Sequence, residues 1–586
     1  MTFQAPVRDL LFCLHQIVEV DRLMALDAFG DLDAETLAAV LEGAGALASD
    51  VLAPLNRAGD QVGATYANGK VTAAPGFAGA YKAFSEGGWN SLAADPAYGG
   101  QGLPKVVELA AYEMMHAANM AFSLCPMLTQ GAIEAIHAHG TDRQKALYLP
   151  KMIAGTWTGA MNLTESQSGS DLGGLRTRAE PDGDGSYRLY GQKIFITWGD
   201  HDCAENIVHL VLARMPDAPA GSRGVSLFLA PKYLVGEDGA LASQNDLRPG
   251  SIEHKLGIHG SPTCVMLYEG AHAELIGQPN QGLAHMFTMM NAARLNVGME
   301  GVGIAERAYQ QALAFALERR QGRSAWTGEV GAPIFDHPDV RRMLADMKAR
   351  IEAARAICFL TAANADLAAA APTDEERRAA RLREELLTPI AKAWSTDTGV
   401  EVASLGVQIH GGMGFIEETG AAQHYRDARI APIYEGTNGI QAIDLAGRKL
   451  GLEGGAAVTA LFADMRATAG ALETPLASIG LRLANAIDAA EEATAWLSER
   501  RGAPENLAGA TAYLRLMGEV TGGWLLAKGA LAATSGKAPD PAYGQARIDL
   551  ASHYAETVLS QAPGQVAGIT IGAETLARLD AAALGG

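Results

Sequence analysis

The chain has 586 residues, against about 100 to 200 for a common domain, so it suits three or four domains or one multi-lobed enzyme and excludes a small stapled scaffold. Sixty-six acidic against 46 basic side chains leave a net charge of −20, with no block of like charges, which argues against nucleic acid as a partner. Apolar residues make up 48% and charged ones 19%, a composition that buries a core and excludes a disordered chain.

Cys13, Cys125, Cys203, Cys264 and Cys358 are odd in number and show neither C-x-x-C nor metal-ligand spacing, so a reducing, cytoplasmic setting and no metal are expected. The opening stretch carries Arg8, Glu19 and Asp21 around a short apolar run and reads as no signal peptide. Runs such as AICFLTAANA fall short of the ~18 to 20 apolar residues of a membrane span, and a soluble protein is expected.

Taken in chain order, residues 33–145 show apolar groups at helical spacing, as with Val107, Ala110, Met114 and Ala117, broken by the turn-rich Asp95–Pro104. Near residue 156 the period changes. TWTGAMNLT, YRLYGQKIFITW, IVHLVLARM, GVSLFLAP and TCVMLYEG read as strands, and Asp182-Gly183-Asp184-Gly185 signals a hairpin. After Gly282 the helical pattern returns as one long helix containing glycines, and Thr373 with Glu376 forms a capping box that opens another. Beyond about Gly455 an Ala-rich helical bundle is expected, with a turn at SGKAPDPAYG. The order is α+β and mostly α, with no alternating βαβ pattern.

The glycine clusters at Gly301 and Gly411 lack the strand–loop–helix context of a nucleotide fingerprint, and Gly301 reads as a helix-packing residue. TESQSGSD, Thr164 to Asp171, is a hydroxyl-rich loop after a strand; it can wrap an anion or serve as a plain turn. In GQKIFITWG, Phe195 and Thr197 alternate onto one face, where Phe195 can flank a flat ring or belong to the core. In IYEGTNGIQ, Glu435 stands at a turn before a helix. Desolvation there would make it a base usable at neutral pH, whereas the helix dipole alone would make it a stabilising N-terminal acid.

Jointly and in this order, TESQSGSD, GQKIFITWG, ALERRQGR, LGVQIHGGMGF, YRDARI and IYEGTNGIQ resemble the acyl-CoA dehydrogenase flavoproteins over roughly residues 80–450. The resemblance implies an extension over 1–35, a helical N-terminal domain over 36–155, a central β-barrel over 156–280 and a four-helix FAD and catalytic domain over 281–452. An extra C-terminal helical domain over 453–586 completes the chain.

It further implies that Glu435 is the catalytic base and that Met161, Leu163, Thr164, Gly169, Ser170, Phe195, Thr197 and Thr437 contact FAD. Arg319, Gln408, Gly411 and Gly412 would serve the FAD of a partner subunit, hence a homodimer. Substrate would meet Ser170, Asn291, Arg294, Tyr434 and Gly436. Departures from the family pattern are Met161 for an aromatic residue, Phe195 for Trp and Asn291 for an acid; Ala293 stands where some relatives carry the base.

The implied reaction is α,β-dehydrogenation of a short-chain acyl-CoA, with electrons passing to an electron-transfer flavoprotein. Whole-chain layout, and no pocket residue, implies 3-methylmercaptopropionyl-CoA as substrate and 3-methylthioacryloyl-CoA as product in dimethylsulfoniopropionate breakdown. Medium- or very-long-chain acyl-CoA is the alternative. A DNA-binding alkylation-response flavoprotein is a further one, against which the charge of −20 and an intact Glu435 both speak.

Overall fold

The computed structural model describes residues 3–434 and 436–586, and the chain divides into two compact units. One unit comprises residues 3–5 with 39–296; the other comprises residues 6–38 with 297–586.

In the first unit the long helix α1 (Lys105–His139) precedes α2 (Asp142–Ile153). Most residues of α1 are buried, which accounts for its largely apolar composition. It breaks at Asn119 (φ −159°, ψ 86°), whose Oδ1 accepts from the Phe122 amide at 3.1 Å and so caps the restarted half. Thr141 and Gln144 form a reciprocal capping box that opens α2.

Seven strands follow: β1 (Trp157–Asn162), β2 (Arg178–Pro181), β3 (Tyr187–Thr197), β4 (Asn206–Arg214), β5 (Val225–Pro231), β6 (Leu247–Ile252) and β7 (Thr263–Ile276). Pairing runs β7 to β3, β3 to β2, β2 to β4, β4 to β5 and β5 back to β7, so these five close into a barrel. β1 joins the circuit beside β4 in parallel, and β6 lies antiparallel beside β7. Inside sit Leu189, Ile196, Val211, Phe228 and Met266. The hairpin between β2 and β3 turns on Asp182–Ser186, with Gly183 and Gly185 at φ +84° and +92°.

The second unit is helical: α3 (Gly282–Glu318, of which residues 297–318 belong here), α4 (Pro338–Ala370), α5 (Asp374–His410), α6 (Ala421–Ala428) and α7 (Asn438–Ile443). The Thr373–Glu376 capping box opens α5. α3 and α5 touch backbone to backbone. A Cβ on Gly301 would lie 2.4 Å from the Ser395 carbonyl oxygen, one on Gly298 2.6 Å from that of Ala391, and one on Gly399 2.7 Å from that of Gly301. Gly301 is therefore a packing glycine.

The C-terminal region adds α8 (Ala456–Ala471), α9 (Ala477–Glu499), α10 (Pro504–Thr534), α11 (Pro541–Thr557) and α12 (Ala562–Ile569). Asp540, in the expected turn, caps α11 by accepting from the Tyr543 amide at 2.8 Å. α10 lies against α4 and α5, and Gly518 leaves room there for the Trp394 ring. The short N-terminal helix Val7–Phe12 is tied in by a buried ion cluster. Asp9 meets Lys348 Nζ at 2.6 Å, the Tyr543 hydroxyl at 2.7 Å and Arg547 at 3.6 Å, while Glu352 meets Lys348 at 2.7 Å, Arg355 at 3.1 Å and Arg547 at 3.1 Å. Burial opposes ionisation of Asp9, but Lys348, Arg547 and Arg355 outweigh it and hold the carboxyl far below the ordinary carboxylate range.

Among the described residues one helical stretch, Ala34–Val62, is long and apolar enough to cross a membrane by length and composition. Its Leu41, Ala44, Ala48 and Leu52 are fully buried, and 39% of its most apolar window is buried in all.

The close helix contact makes a prediction. Gly301→Ala should destabilise the protein by about 1–3 kcal/mol, because two backbones must part to admit one methyl group. Gly470→Ala, in α8 with nothing within 4 Å of the added carbon, should be neutral or slightly stabilising. Thermal midpoints of the two variants beside wild type check both; equal midpoints would refute the packing role.

Candidate active site

Thr164 to Asp171 leaves β1 and is pinned to β3. The Ile194 amide donates to the Thr164 carbonyl at 2.9 Å, and Lys193 Nζ donates to the Leu163 carbonyl at 2.9 Å. The same ammonium lies 2.8 Å from Glu165, which also accepts from the Thr177 hydroxyl at 2.6 Å and the Arg176 amide at 2.7 Å. Burial opposes the charge on Glu165, yet Lys193 and these hydrogen bonds win and bring its pKa down to about 2. Burial takes Lys193 down to about 8 against the pull of Glu165. The pair is the loop's anchor, and sequence alone does not reveal it, since 27 residues intervene.

Past this anchor the loop opens outward. Met161 and Leu163 are buried, Thr164 is half-buried, and Gly169 and Ser170 are exposed, with free space where a Gly169 side chain would stand. In β3 the register with β7 slips between Cys264 and Met266, so Ile194 and Phe195 together oppose Val265. Phe195 takes φ +59°, a costly conformation for a bulky residue, and its side chain is 59% exposed. Of the two roles open to it in the sequence, core membership is overturned, because the bulge lifts the ring out of the barrel. Ile196 is buried and Thr197 half-buried, so the hydroxyl lies on the same outward side as Phe195.

On α3, Arg294 Nη1 donates to Asn291 Oδ1 at 3.3 Å, so the contact survives with an amide in place of the acid, and the guanidinium lies 5.4 Å from the Phe287 ring. Ala293 is buried and carries no acid.

In the helical unit, Glu435 lies outside the described residues, and its neighbours are held from two sides. The Tyr434 hydroxyl donates to Glu300 of α3, whose side chain is fully buried. Lys392 Nζ donates to Asn438 Oδ1 at 2.8 Å, and the Asn438 amide donates to Asp397 at 2.8 Å and to the Thr396 hydroxyl at 3.0 Å, all on α5. Between them Gly436 turns at φ +82°, Thr437 donates to the Pro432 carbonyl at 3.2 Å, and the Asn438 amide N–H donates to the same oxygen at 3.0 Å. Sequence reasoning missed Glu300 and Lys392. The available signal was a charged residue on an otherwise apolar, glycine-flanked helix face.

Arg319, Gln408, Gly411 and Gly412 are all exposed at the C-terminal ends of α3 and α5, Gly411 with φ +60°. Nineteen residues of helix separate Arg319 from Glu300, about 28 Å at helical rise. These four residues and the Tyr434–Thr437 turn therefore do not converge within one protomer's helical unit. Exposed Met413, Phe415 and Ile416 adjoin them.

A helical domain, a closed β-barrel and a helical domain in that order, with an exposed aromatic residue on a strained bulge and with Tyr434 and Asn438 each tied to a helix, define the class. Comparison with known proteins gives the same answer. Residues 35–156 match the acyl-CoA dehydrogenase N-terminal domain, 160–271 the middle domain, 280–450 the C-terminal domain, and 461–580 the "Acetyl-CoA dehydrogenase C-terminal like" domain. The 3-methylmercaptopropionyl-CoA dehydrogenase of Ruegeria pomeroyi is 47% identical over 97% of this chain and 98% of its own. A butyryl-CoA dehydrogenase of Syntrophomonas wolfei is 35% identical over 76% of each chain. In fold, the chain is similar to an acyl-CoA dehydrogenase of Bacillus anthracis complexed with FAD, at TM-score 0.76 and 21% identity over 96% of this chain and 91% of that one.

The chain belongs to the acyl-CoA dehydrogenase family and is an FAD-dependent oxidoreductase. Its residues fit that cofactor: a strained bulge presents an aromatic ring and a hydroxyl beside an open, hydroxyl-bearing loop.

Removing the anchor of that loop should be costly. Glu165→Gln leaves a buried ammonium without its counter-charge and should destabilise by about 3–5 kcal/mol at pH 7. Glu165→Gln/Lys193→Met should regain most of that loss. Urea denaturation of the three proteins tests the pairing; equal stability of the single and double variants would sink it.

Proposed function

We propose that the enzyme catalyses α,β-dehydrogenation of short-chain acyl-CoA thioesters, with 3-methylmercaptopropionyl-CoA as substrate and 3-methylthioacryloyl-CoA as product. The observation that carries the substrate is the 47% identity with the Ruegeria pomeroyi enzyme across 97% of the chain, including the region beyond Leu450.

Glu435 is the base. A thioester α-C–H is weakly acidic, so its proton leaves together with a hydride from the β-carbon, and the base must be desolvated and accurately placed. FAD, when bound, supplies at N5 the acceptor for that hydride. The Glu435 carboxylate takes the α-proton, and its backbone N–H polarises the thioester carbonyl as an oxyanion-type donor. Arg294, supported by Asn291, holds the CoA portion, and Ser170, Tyr434 and Gly436 are further substrate-binding residues.

Met161, Leu163, Thr164, Gly169, Ser170, Phe195, Thr197 and Thr437 hold FAD. Arg319, Gln408, Gly411 and Gly412 serve the FAD of a second copy in a homodimer, a reading supported by their exposure and distance from the turn. An electron-transfer flavoprotein accepts the electrons, in the cytoplasm. The working division is an extension over 1–35, domains over 36–155, 156–280 and 281–452, and a C-terminal domain over 453–586.

Replacing a methylene with sulfur hardly changes chain length, so an apolar pocket discriminates weakly and butanoyl-CoA should also react. Anaerobic bleaching of the flavin band with 3-methylmercaptopropionyl-CoA, butanoyl-CoA and palmitoyl-CoA tests both parts. Fast reduction by the first two, lowered at least about a thousandfold in Glu435→Gln, is expected. Reduction by palmitoyl-CoA alone would replace the substrate, and undiminished bleaching in Glu435→Gln would remove the base.

A further inference from the structure

Glu300 is out of place for a packing residue. It sits in α3 next to Gly301 and close to Gly298, where α3 meets α5 backbone to backbone, and its side chain is fully buried. Burying a carboxyl group costs free energy that an alanine or leucine at the same position would not. Glu300 accepts a hydrogen bond from the hydroxyl of Tyr434, the residue immediately before Glu435. On the other side of that turn, Asn438 is fixed by Lys392, Thr396 and Asp397. The two attachments bracket three residues of chain, and they come from different helices.

We infer that Glu300 is a positioning residue for the dehydrogenation: by holding the Tyr434 hydroxyl it fixes the backbone at the entrance to the turn, and with the Lys392–Asn438 contact it sets where the Glu435 carboxylate meets the α-proton. The inference rests on Glu435 as the base. It assigns to Glu300 no contact with substrate or flavin. The hydrogen bond limits the freedom of the Tyr434 side chain, and one peptide unit passes that restraint to the next residue. A base displaced by about 1 Å from its attack geometry loses on the order of a hundredfold in rate.

The test uses the full-length, FAD-loaded enzyme and stopped-flow reduction by butanoyl-CoA, in Glu300→Ala, Glu300→Gln, Tyr434→Phe, Glu300→Ala/Tyr434→Phe and Glu435→Gln. Expected in Glu300→Ala and in Tyr434→Phe is a fall of roughly 10- to 100-fold in the limiting reduction rate, with flavin content and thermal midpoint kept close to wild type in both and half-saturation kept close to wild type in Glu300→Ala. The double variant should be no slower than the slower single, because both remove one contact. Glu300→Gln keeps an acceptor oxygen and should restore most of the rate. The inference is overturned by a wild-type rate in Tyr434→Phe, or by a loss in Glu300→Ala that glutamine does not rescue and that tracks lost flavin or a lowered midpoint. An inactive Glu435→Gln beside fully active Glu300→Ala and Tyr434→Phe would remove the positioning role alone. An active Glu435→Gln would remove the base and this role together.

Discussion

The helical unit depends on one constraint, the direct backbone contact between α3 and α5. Helices that meet through ordinary side chains keep their axes about 8–10 Å apart. Here Gly298, Gly301 and Gly399 remove the intervening carbon atoms, and carbonyl oxygens of one helix face the α-carbons of the other. That spacing brings two polar side chains, Glu300 and Lys392, to the two ends of a single turn. Wider separation would part Tyr434 from one helix or Asn438 from the other. The glycines and the buried polar groups belong to one arrangement: close packing supplies the geometry, and hydrogen bonds from the turn satisfy groups that close packing has desolvated.

The barrel unit reaches a comparable result by different means. Phe195 holds a left-handed backbone conformation costing about 1–2 kcal/mol, and it persists because β3 is paired with β7 on both sides of the bulge, at Lys193 and at Thr197. Two residues earlier in β3, Lys193 locks the Thr164–Asp171 loop through Glu165. A rigid edge beneath an open loop is the pattern expected where a large planar cofactor must be gripped without trapping its exit.

Much of this was legible in the sequence. The five long strands, the glycine hairpin at 182–185, the capping box at Thr373 and the turn before α11 announced themselves, because each rests on local chemistry. β2 and β6 did not: the first is four largely exposed residues, and the second carries Pro249 and Gly250, so neither has the alternation of a half-buried strand. The order of motifs identified the family, whereas the bulge at Phe195, the Glu165–Lys193 pair and the Glu300–Tyr434 contact were hidden. The bulge is a matter of register between strands some 70 residues apart. The last contact joins residues 134 positions apart, which only the fold brings together.

The ion cluster around Asp9 has a consequence for the order of assembly. Tyr543 and Arg547 follow Asp9 in the chain by 534 and 538 positions. Synthesis at about 5–20 residues per second puts roughly half a minute to two minutes between them. Throughout that interval the ion cluster around the helix Val7–Phe12 stays incomplete, and a very long loop remains to be closed. The barrel unit, which apart from residues 3–5 is the contiguous stretch 39–296, is under no such delay. Nascent chains should therefore present a finished sheet domain while the helix Val7–Phe12 still waits for α11, and that short helix is the part that most needs shielding until Tyr543 and Arg547 emerge.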